Sequence, residues 1–541
     1  MSKSTRILLI LTLALSAILC FGALGHGLPW LPQQDEFQTV ERSLAMGRGL
    51  PDPGLYTWPA GPVFYANLLI FGVIYLTGHL VGSFPSAQVF ASWYMSNPTM
   101  LYTASRGLSA LWAVVATLCA FHLGRRLASP VAGLIAALGV ALAPEWLSAG
   151  TVTLPDAFAA AMTAAVLVFL LKSVHRQSPK HYLLACLFAG LAIAGKLHTW
   201  TIVFAVLLTT CWLPTEHRLR SFLWGFLVVI GAFIITNPFA VLKPAELADN
   251  LALMSFRLYG TAKSFLRYDW LVGIGLGFAL GLPLLLLSGL GFLRAFTRHH
   301  KSDLIVLAFL IPFLLVVGLR KAPPKFLLPA LVPLLALGAA ALVDLAKILP
   351  RPKIALPVLI VIIMAYPAYH ALMWFRGQLA EDCRYGAAWA VLERIKPGEL
   401  VIVDEMPPDP LVLPILPDEA SLRWHATHKS GVSGWTKTRL ESGAYPFGHP
   451  TVAMQATGMT MVGLTAALQL PNVTMIVLCD PDTLTWRAEA NLEPGLPSLE
   501  LELNYREQVR KLAAALGWEL VYHCDNRNNG LGQRVEVWYI Q

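Results

Sequence analysis

Charge is scarce in this chain. Asp, Glu, Lys and Arg together supply 13% of its 541 residues, against about 25% in an ordinary soluble domain, and the mean hydropathy is +0.60. That shortage excludes a soluble protein over most of the length. Cysteine is sparse too, with seven residues and no Cys-x-x-Cys pair, so the spacing of a zinc ribbon or a dithiol redox motif is missing. There is no His-Glu-x-x-His, and the C-terminal part carries no nucleotide-binding fingerprint. No folded basic surface with interleaved aromatics appears, which excludes nucleic acid as a partner. Internal repeats and low-complexity linkers are absent.

What the chain has instead is apolar length. From residue 7 to residue 371, stretches recur that are long enough at 1.5 Å per residue to cross a hydrocarbon layer of roughly 30 Å. The expected spans are 7–25, 103–123, 130–148, 156–172, 181–197, 199–213, 219–237, 270–292, 303–319, 326–346 and 354–372. MSKSTR ahead of the first run resembles the start of a signal peptide but lacks good cleavage spacing, so it reads as an uncleaved helix with a cytoplasmic N-terminus. Cys20, Cys119, Cys186 and Cys211 fall inside apolar runs, where a thiol acts as a small hydrophobe.

Charge then sets the orientation. The segment 61–82 is also long enough to cross, but a crossing there would put Arg125-Arg126, LKSVHRQSPK, HRLR, RAFTRHHK and KILPRPK on the outer side. Laid along the outer interface, it leaves all of these basic loops in the cytoplasm, as the positive-inside bias requires. The expected fold is a polytopic α-helical membrane protein with about 11 transmembrane helices and interfacial helices in the first outer loop. A soluble α/β domain follows at the C-terminus.

The tail has a different character. Residues 381–541 hold 20 acidic and 13 basic side chains, a net −7, so the rest of the chain is at +15. ELVIVDE, VTMIVLC, WELVYH and RVEVWYI read as strands, and CRYGAAWAVLERI and NYREQVRKLAAALG as amphipathic helices. Residues 408–470 are too rich in Pro and Gly to place. The expected division is a membrane domain over 1–376, with outer loops at 26–102 and 238–269, and an extracytoplasmic α/β domain over 377–541. Outside the cytosol, a Cys479–Cys524 disulfide is open to that domain.

With this topology the unusual polar residues collect on the outer side. Asp35 and Glu36 follow the first span, Arg106 opens the second and Asp156 the fourth. Lys196 and His198 lie at the end of the fifth, Asn237 at the end of the seventh, and Arg320, Lys321 and Lys325 between the ninth and tenth. Ionisable groups at membrane depth are costly, so they line a cavity or pair with one another. Lys or Arg at headgroup level supplies charge-assisted hydrogen bonds to a lipid phosphate. A carboxylate in reach of a hydroxyl removes its proton as an anomeric carbon is attacked. Structural roles stand beside these: helix capping for Asp35, Glu36 and Asp156, snorkelling for Arg106, and an aromatic belt for Tyr56 and Trp58.

One resemblance ties the pattern together. QDEFQ after the first helix, ERSLAMGRGLPDPGLYTWPAGPVFY, SRGLSALWAVVATLCAFHLGRRLASPVAGLIAAL, TLPDAFAAAMTAAVLVF, GLAIAGKLHTW, TNPF at 236–239, KFLLPALVPLLAL and CRYGAAWAVLERIKPGELVIVDE occur in this order. The whole resembles the GT-C glycosyltransferases of the protein mannosyltransferase and aminoarabinose transferase type. The resemblance implies an inverting glycosyltransferase that takes a sugar from a polyprenyl-phosphate donor to a hydroxyl acceptor, a lipid, glycan or protein, outside the cytoplasm. It implies Asp35 as base, Glu36 as its companion and Asp156 as a further acid of the site. Tyr56, Arg106, Lys196, His198, Asn237, Arg320, Lys321 and Lys325 are the expected substrate contacts. It calls for no cofactor and leaves a divalent metal open. Where relatives often carry a lysine followed by prolines, this chain has Tyr56-Thr-Trp-Pro-Ala-Gly-Pro62, and Lys325-Phe326 replaces a frequent Arg-Tyr. A transporter or flippase of a lipid-linked saccharide and a non-catalytic envelope scaffold are the competing functions.

Overall fold

A computed structural model describes residues 2–29, 35–56, 60–259, 271–318, 324–380, 382–396, 398–403, 453–456, 461–480, 499–525 and 534–540. The chain divides into two compact units, one formed by Met1–Leu24, Gln38–Leu76 and Thr103–Leu372, the other by Gly25–Phe37, Thr77–Tyr102 and Met373–Gln541.

The chain is a polytopic helical membrane protein. Among the described residues, eight helices are long and apolar enough to cross a bilayer, or up to ten when each of two bent pairs is taken as one span. Proline sets many of the helix starts. Pro130, Pro144, Pro155 and Pro179 each open a helix, where the missing N–H costs nothing and φ is already helical. Burial then separates inner from outer helices in the first unit. The apolar window of Pro324–Ile348 is 94% buried and that of Pro155–Arg176 is 83% buried, whereas that of Thr215–Thr236 is only 17% buried. The first two form the interior, and the third keeps its Leu, Phe and Ile side chains for lipid. Small residues bring backbones together, as membrane packing requires: a Cβ on Gly291 would strike the backbone of Leu337 and Gly338, and one on Gly190 the Val229 carbonyl.

Two expected spans are interrupted, and the two short spans expected over 181–213 form as two short helices. The run 130–148 bends by 60° between Pro130–Leu142 and Pro144–Thr151, because Pro144 cannot continue the preceding helix. Leu271–Leu280 and Leu282–Arg298 meet at 115° around Gly281, whose φ of +71° is open to glycine. The region 181–213 gives two short helical pieces, Pro179–Gly195 and Leu197–Thr210, with Lys196 extended between them. Gly61–Leu80 forms one continuous apolar helix.

Among the described residues, the second unit holds an open sheet of five strands in the order β2-β1-β3-β5-β4. Its strands are β1 (Leu400–Val403), β2 (Ala453–Ala456), β3 (Val473–Asp480), β4 (Glu519–Asp525) and β5 (Arg534–Tyr539). β1 runs parallel to β2 and β3, while β5 runs antiparallel to β3 and β4. Alternate side chains fill two cores. Val401, Met475, Val477, Val535 and Val537 pack under the Cys383–Leu392 helix. Ile402, Ile476 and Leu478 face Met461–Leu468 and Leu499–Leu516. The four expected strands and both expected helices form; β2 and the Met461–Leu468 helix both lie within the stretch 408–470 that the sequence left unplaced.

The Cys479–Cys524 pairing that the sequence left open does not form: Cys524 is bonded to Cys383. The register gives the reason. Cys479 and Cys524 both sit opposite Val535, on the two sides of β5. Two strand spacings separate them by about 9.5 Å, beyond the reach of a disulfide.

Candidate active site

Where the helical run is interrupted at Lys196, charged and aromatic groups of the first unit converge. Lys196 is 6% exposed and Asp156 3% exposed, and the Lys196 ammonium donates to Asp156 Oδ1 over 2.6 Å. Asp156 sits in the first turn of Pro155–Arg176, which has no side-chain cap, so its charge also meets the positive end of the helix. Among the described residues, its second oxygen, Oδ2, is buried with no hydrogen-bond partner. Phe326 closes the other side: its ring centre lies 4.4 Å from Lys196 Nζ and 5.2 Å from that of His198. A desolvated ammonium over an aromatic face is favourable. Phe326 belongs to the tight turn Pro324–Leu327, which also carries Lys325. Asp156, Lys196, His198 and the Lys325 turn are therefore brought together.

A second polar layer supports them. Ser105 hydrogen-bonds Asn67 and lies 2.6 Å from the Thr153 hydroxyl, all three buried. Arg106, next to Ser105 in sequence, is also buried, and its guanidinium donates to the Leu24 carbonyl over 2.7 Å. Asn237 uses both ends of its amide on backbone. Its oxygen accepts from Gly61 N at 2.9 Å and its nitrogen donates to Ala194 O at 3.3 Å, two residues ahead of Lys196. A Cβ on Gly61 would collide with the Thr236 carbonyl, so only glycine allows this approach.

Tyr56 lies in a separate polar knot. Its hydroxyl donates to Asp52 Oδ1 at 2.7 Å, and Gly54 N donates to the same oxygen at 2.9 Å. Lys243, at the turn before the Pro244–Tyr259 helix, reaches Asp52 Oδ2 at 2.9 Å and Glu246 at 3.3 Å. Burial alone pushes the Asp52 carboxyl up, but the hydrogen bonds from Lys243, Tyr56 and Gly54 outweigh it and hold the group below its ordinary range. The same burial and the neighbouring carboxylate push the Tyr56 phenol up. Asp52 and Lys243 were not singled out by sequence. The Asp-x-Gly turn of PDPGLY was a signal for Asp52, and nothing local marked its partner.

Asp35 stands immediately ahead of the Glu36–Met46 helix, and Glu36 is fully buried. Both belong to the same compact unit as the α/β domain. Arg320 and Lys321 lie outside the described residues. Among the described residues, no group of three His, Cys, Asp or Glu side chains is placed to hold a metal ion.

The chain is a GT-C-fold membrane protein. Residues 90–241 match the model of the dolichyl-phosphate-mannose-protein mannosyltransferase family. ArnT from Cupriavidus metallidurans in the apo state aligns over 99% of this chain and 98% of its own at 14% identity, with a TM-score of 0.51. The same protein bound to undecaprenyl phosphate gives the same coverage and identity with a TM-score of 0.50. An oligosaccharyltransferase from Archaeoglobus fulgidus, also in the apo form, is 13% identical over 92% of this chain and 72% of its own, with a TM-score of 0.45. No curated protein matches the chain by sequence.

Proposed function

We propose that the chain is an inverting glycosyltransferase that moves a sugar from a polyprenyl-phosphate donor to a hydroxyl acceptor on the outer side of the membrane. The observation that carries this reading is the buried Asp156–Lys196 pair at an interrupted helix, within a fold shared with a protein solved bound to undecaprenyl phosphate. The lipid phosphate lies against Lys196, Arg106 and Lys325, with Arg320 and Lys321 adding positive charge from the same loop. His198 lines the sugar side, Asn237 keeps the Lys196 turn in place, and Tyr56 acts through the Asp52 turn to which its hydroxyl is bonded.

Asp35 takes the acceptor proton as the acceptor oxygen bonds to the anomeric carbon. The bond from that carbon to the phosphate oxygen breaks in the same displacement, and polyprenyl phosphate leaves with its negative charge held by the cations. Glu36 orients Asp35, and Asp156 fixes the Lys196 ammonium. The Cys383–Cys524 disulfide supports an extracytoplasmic C-terminal domain, since such bonds persist in oxidising compartments. The basic loops support a cytoplasmic N-terminus and an interfacial Gly61–Leu80 helix.

Mass spectrometry of envelope lipids and glycans in a deletion strain tests the reading. A sugar-modified species is lost on deletion, returns with the wild-type gene and stays absent with Asp35→Asn. Full restoration by Asp35→Asn, present at wild-type abundance, contradicts the assignment.

A further inference from the structure

The second unit contains an anchor that the proposed chemistry does not use. Gly25–Phe37, the stretch that carries Asp35 and Glu36, belongs to this unit together with the α/β domain. The Tyr385 hydroxyl donates to the Gly27 carbonyl at 2.7 Å. Gly27 itself has φ of +70°, a conformation that turns the chain sharply and that other residues adopt at a cost. Beside it, His26 Nε2 lies 3.8 Å from Asp382 Oδ2.

The residues that grip this turn are themselves fixed. Asp382 is buried and caps the Cys383–Leu392 helix by accepting from Arg384 N at 3.0 Å, and its carboxylate also takes the Arg384 Nε–H at 2.9 Å. Cys383 is joined to Cys524 of β4, and Tyr522 of the same strand donates to the Cys383 carbonyl at 3.0 Å. Gly386 is needed for this contact, because a Cβ there would enter the Tyr522 ring. Within residues 382–385, Asp382 and Tyr385 thus hold the 26–27 turn, Cys383 holds the sheet, and Arg384 fixes Asp382. That turn lies eight residues ahead of Asp35.

We infer that Tyr385 and Asp382, locked to the sheet by the Cys383–Cys524 disulfide, are positioning residues that hold the first outer loop and so set the placement of Asp35. The C-terminal domain is then a structural part of the catalytic loop, and its reduction or displacement loosens that loop. The kinetic consequence rests on the glycosyltransferase reading; the anchor itself does not.

The test uses the full chain in nanodiscs, comparing wild type with Tyr385→Phe and with Cys383→Ser/Cys524→Ser. Amide exchange by mass spectrometry follows peptides covering residues 22–29 and 35–46, and turnover is measured with a polyprenyl-phosphate sugar donor. Losing one hydrogen bond predicts roughly three- to tenfold faster exchange in those peptides for Tyr385→Phe, with the sheet and the Pro155–Arg176 helix unchanged. The same variant lowers kcat several-fold while donor KM stays within about twofold, as expected when a transition-state interaction is misplaced. The double serine variant changes both readouts in the same direction. Should it fail to fold, Tyr385→Phe still decides. Unchanged exchange in folded Tyr385→Phe overturns the anchor. Faster exchange with a wild type that transfers no sugar keeps the anchor and overturns the enzymatic reading instead. Faster exchange with kcat unchanged overturns the link to Asp35.

Discussion

Lys196 and Asp156 stand 40 residues apart in sequence and meet as a 2.6 Å ion pair. Both side chains are less than a tenth exposed. Burying two charges is costly unless each answers the other, and removing one partner strands its mate. Lys196→Met is therefore expected to destabilise the protein by about 3–5 kcal/mol, and Asp156→Asn by a similar amount. Adding Asp156→Asn to Lys196→Met costs far less than the sum. Thermal unfolding in nanodiscs measures this, and additive losses would show that the two groups act independently.

The Asp52 knot gives a pH prediction. Its carboxyl is held below the usual carboxylate range, which for Asp centres near about 4. A group with a lowered folded pKa contributes fully above its unfolded value and loses that contribution as pH falls through the folded one. The turn at 52–56 should thus stay fastened at neutral pH and open only below about pH 4. Tyr56→Phe removes one hydrogen bond to the carboxylate and should cost about 1–2 kcal/mol. Limited proteolysis of this turn against pH reads both effects.

Non-reducing peptide mapping should recover the peptide containing Cys383 linked to that containing Cys524. Cys383→Ser/Cys524→Ser is expected to lower the unfolding free energy of the α/β domain by about 2–4 kcal/mol. A linked Cys479 peptide in place of Cys383 would contradict the β3-β5-β4 order.

Gly61→Ala places a methyl group against the Thr236 carbonyl and breaks the bond from Gly61 N to Asn237. It is expected to be more damaging than Asn237→Ala, which frees space while losing two hydrogen bonds. Yield and unfolding temperature of the two variants, measured together, check that ranking.

The helices were largely legible because long apolar runs and proline starts are local signals. The breaks at Pro144 and Gly281 were less so, since apolar composition continues straight across them, whereas the boundary near Lys196 fell where a lysine and a histidine interrupt the apolar run. Asp156, Lys196 and His198 could each be singled out as polar residues in a greasy setting. Their meeting with Phe326 could not, because that contact depends on how three chain segments pack. Nothing in the local sequence distinguishes Lys243, which only folding sets beside Asp52. In the tail, strand periodicity revealed β1, β3, β4 and β5, but sequence order hid the insertion of β5 between β3 and β4. That insertion keeps Cys524 from Cys479, and the Cys383–Leu392 helix packed on the sheet brings Cys383 to it.

Sugar transfer by purified protein is the most direct test of the central claim. Reconstituted wild type, given a polyprenyl-phosphate sugar and a hydroxyl acceptor, should release polyprenyl phosphate and form a glycoside with inverted anomeric configuration, followed by mass spectrometry and NMR. Asp35→Asn, folded and binding donor normally, should lose about two to four orders of magnitude in kcat. Normal turnover by that variant, or movement of the intact donor across the bilayer with no glycoside formed, would contradict the account.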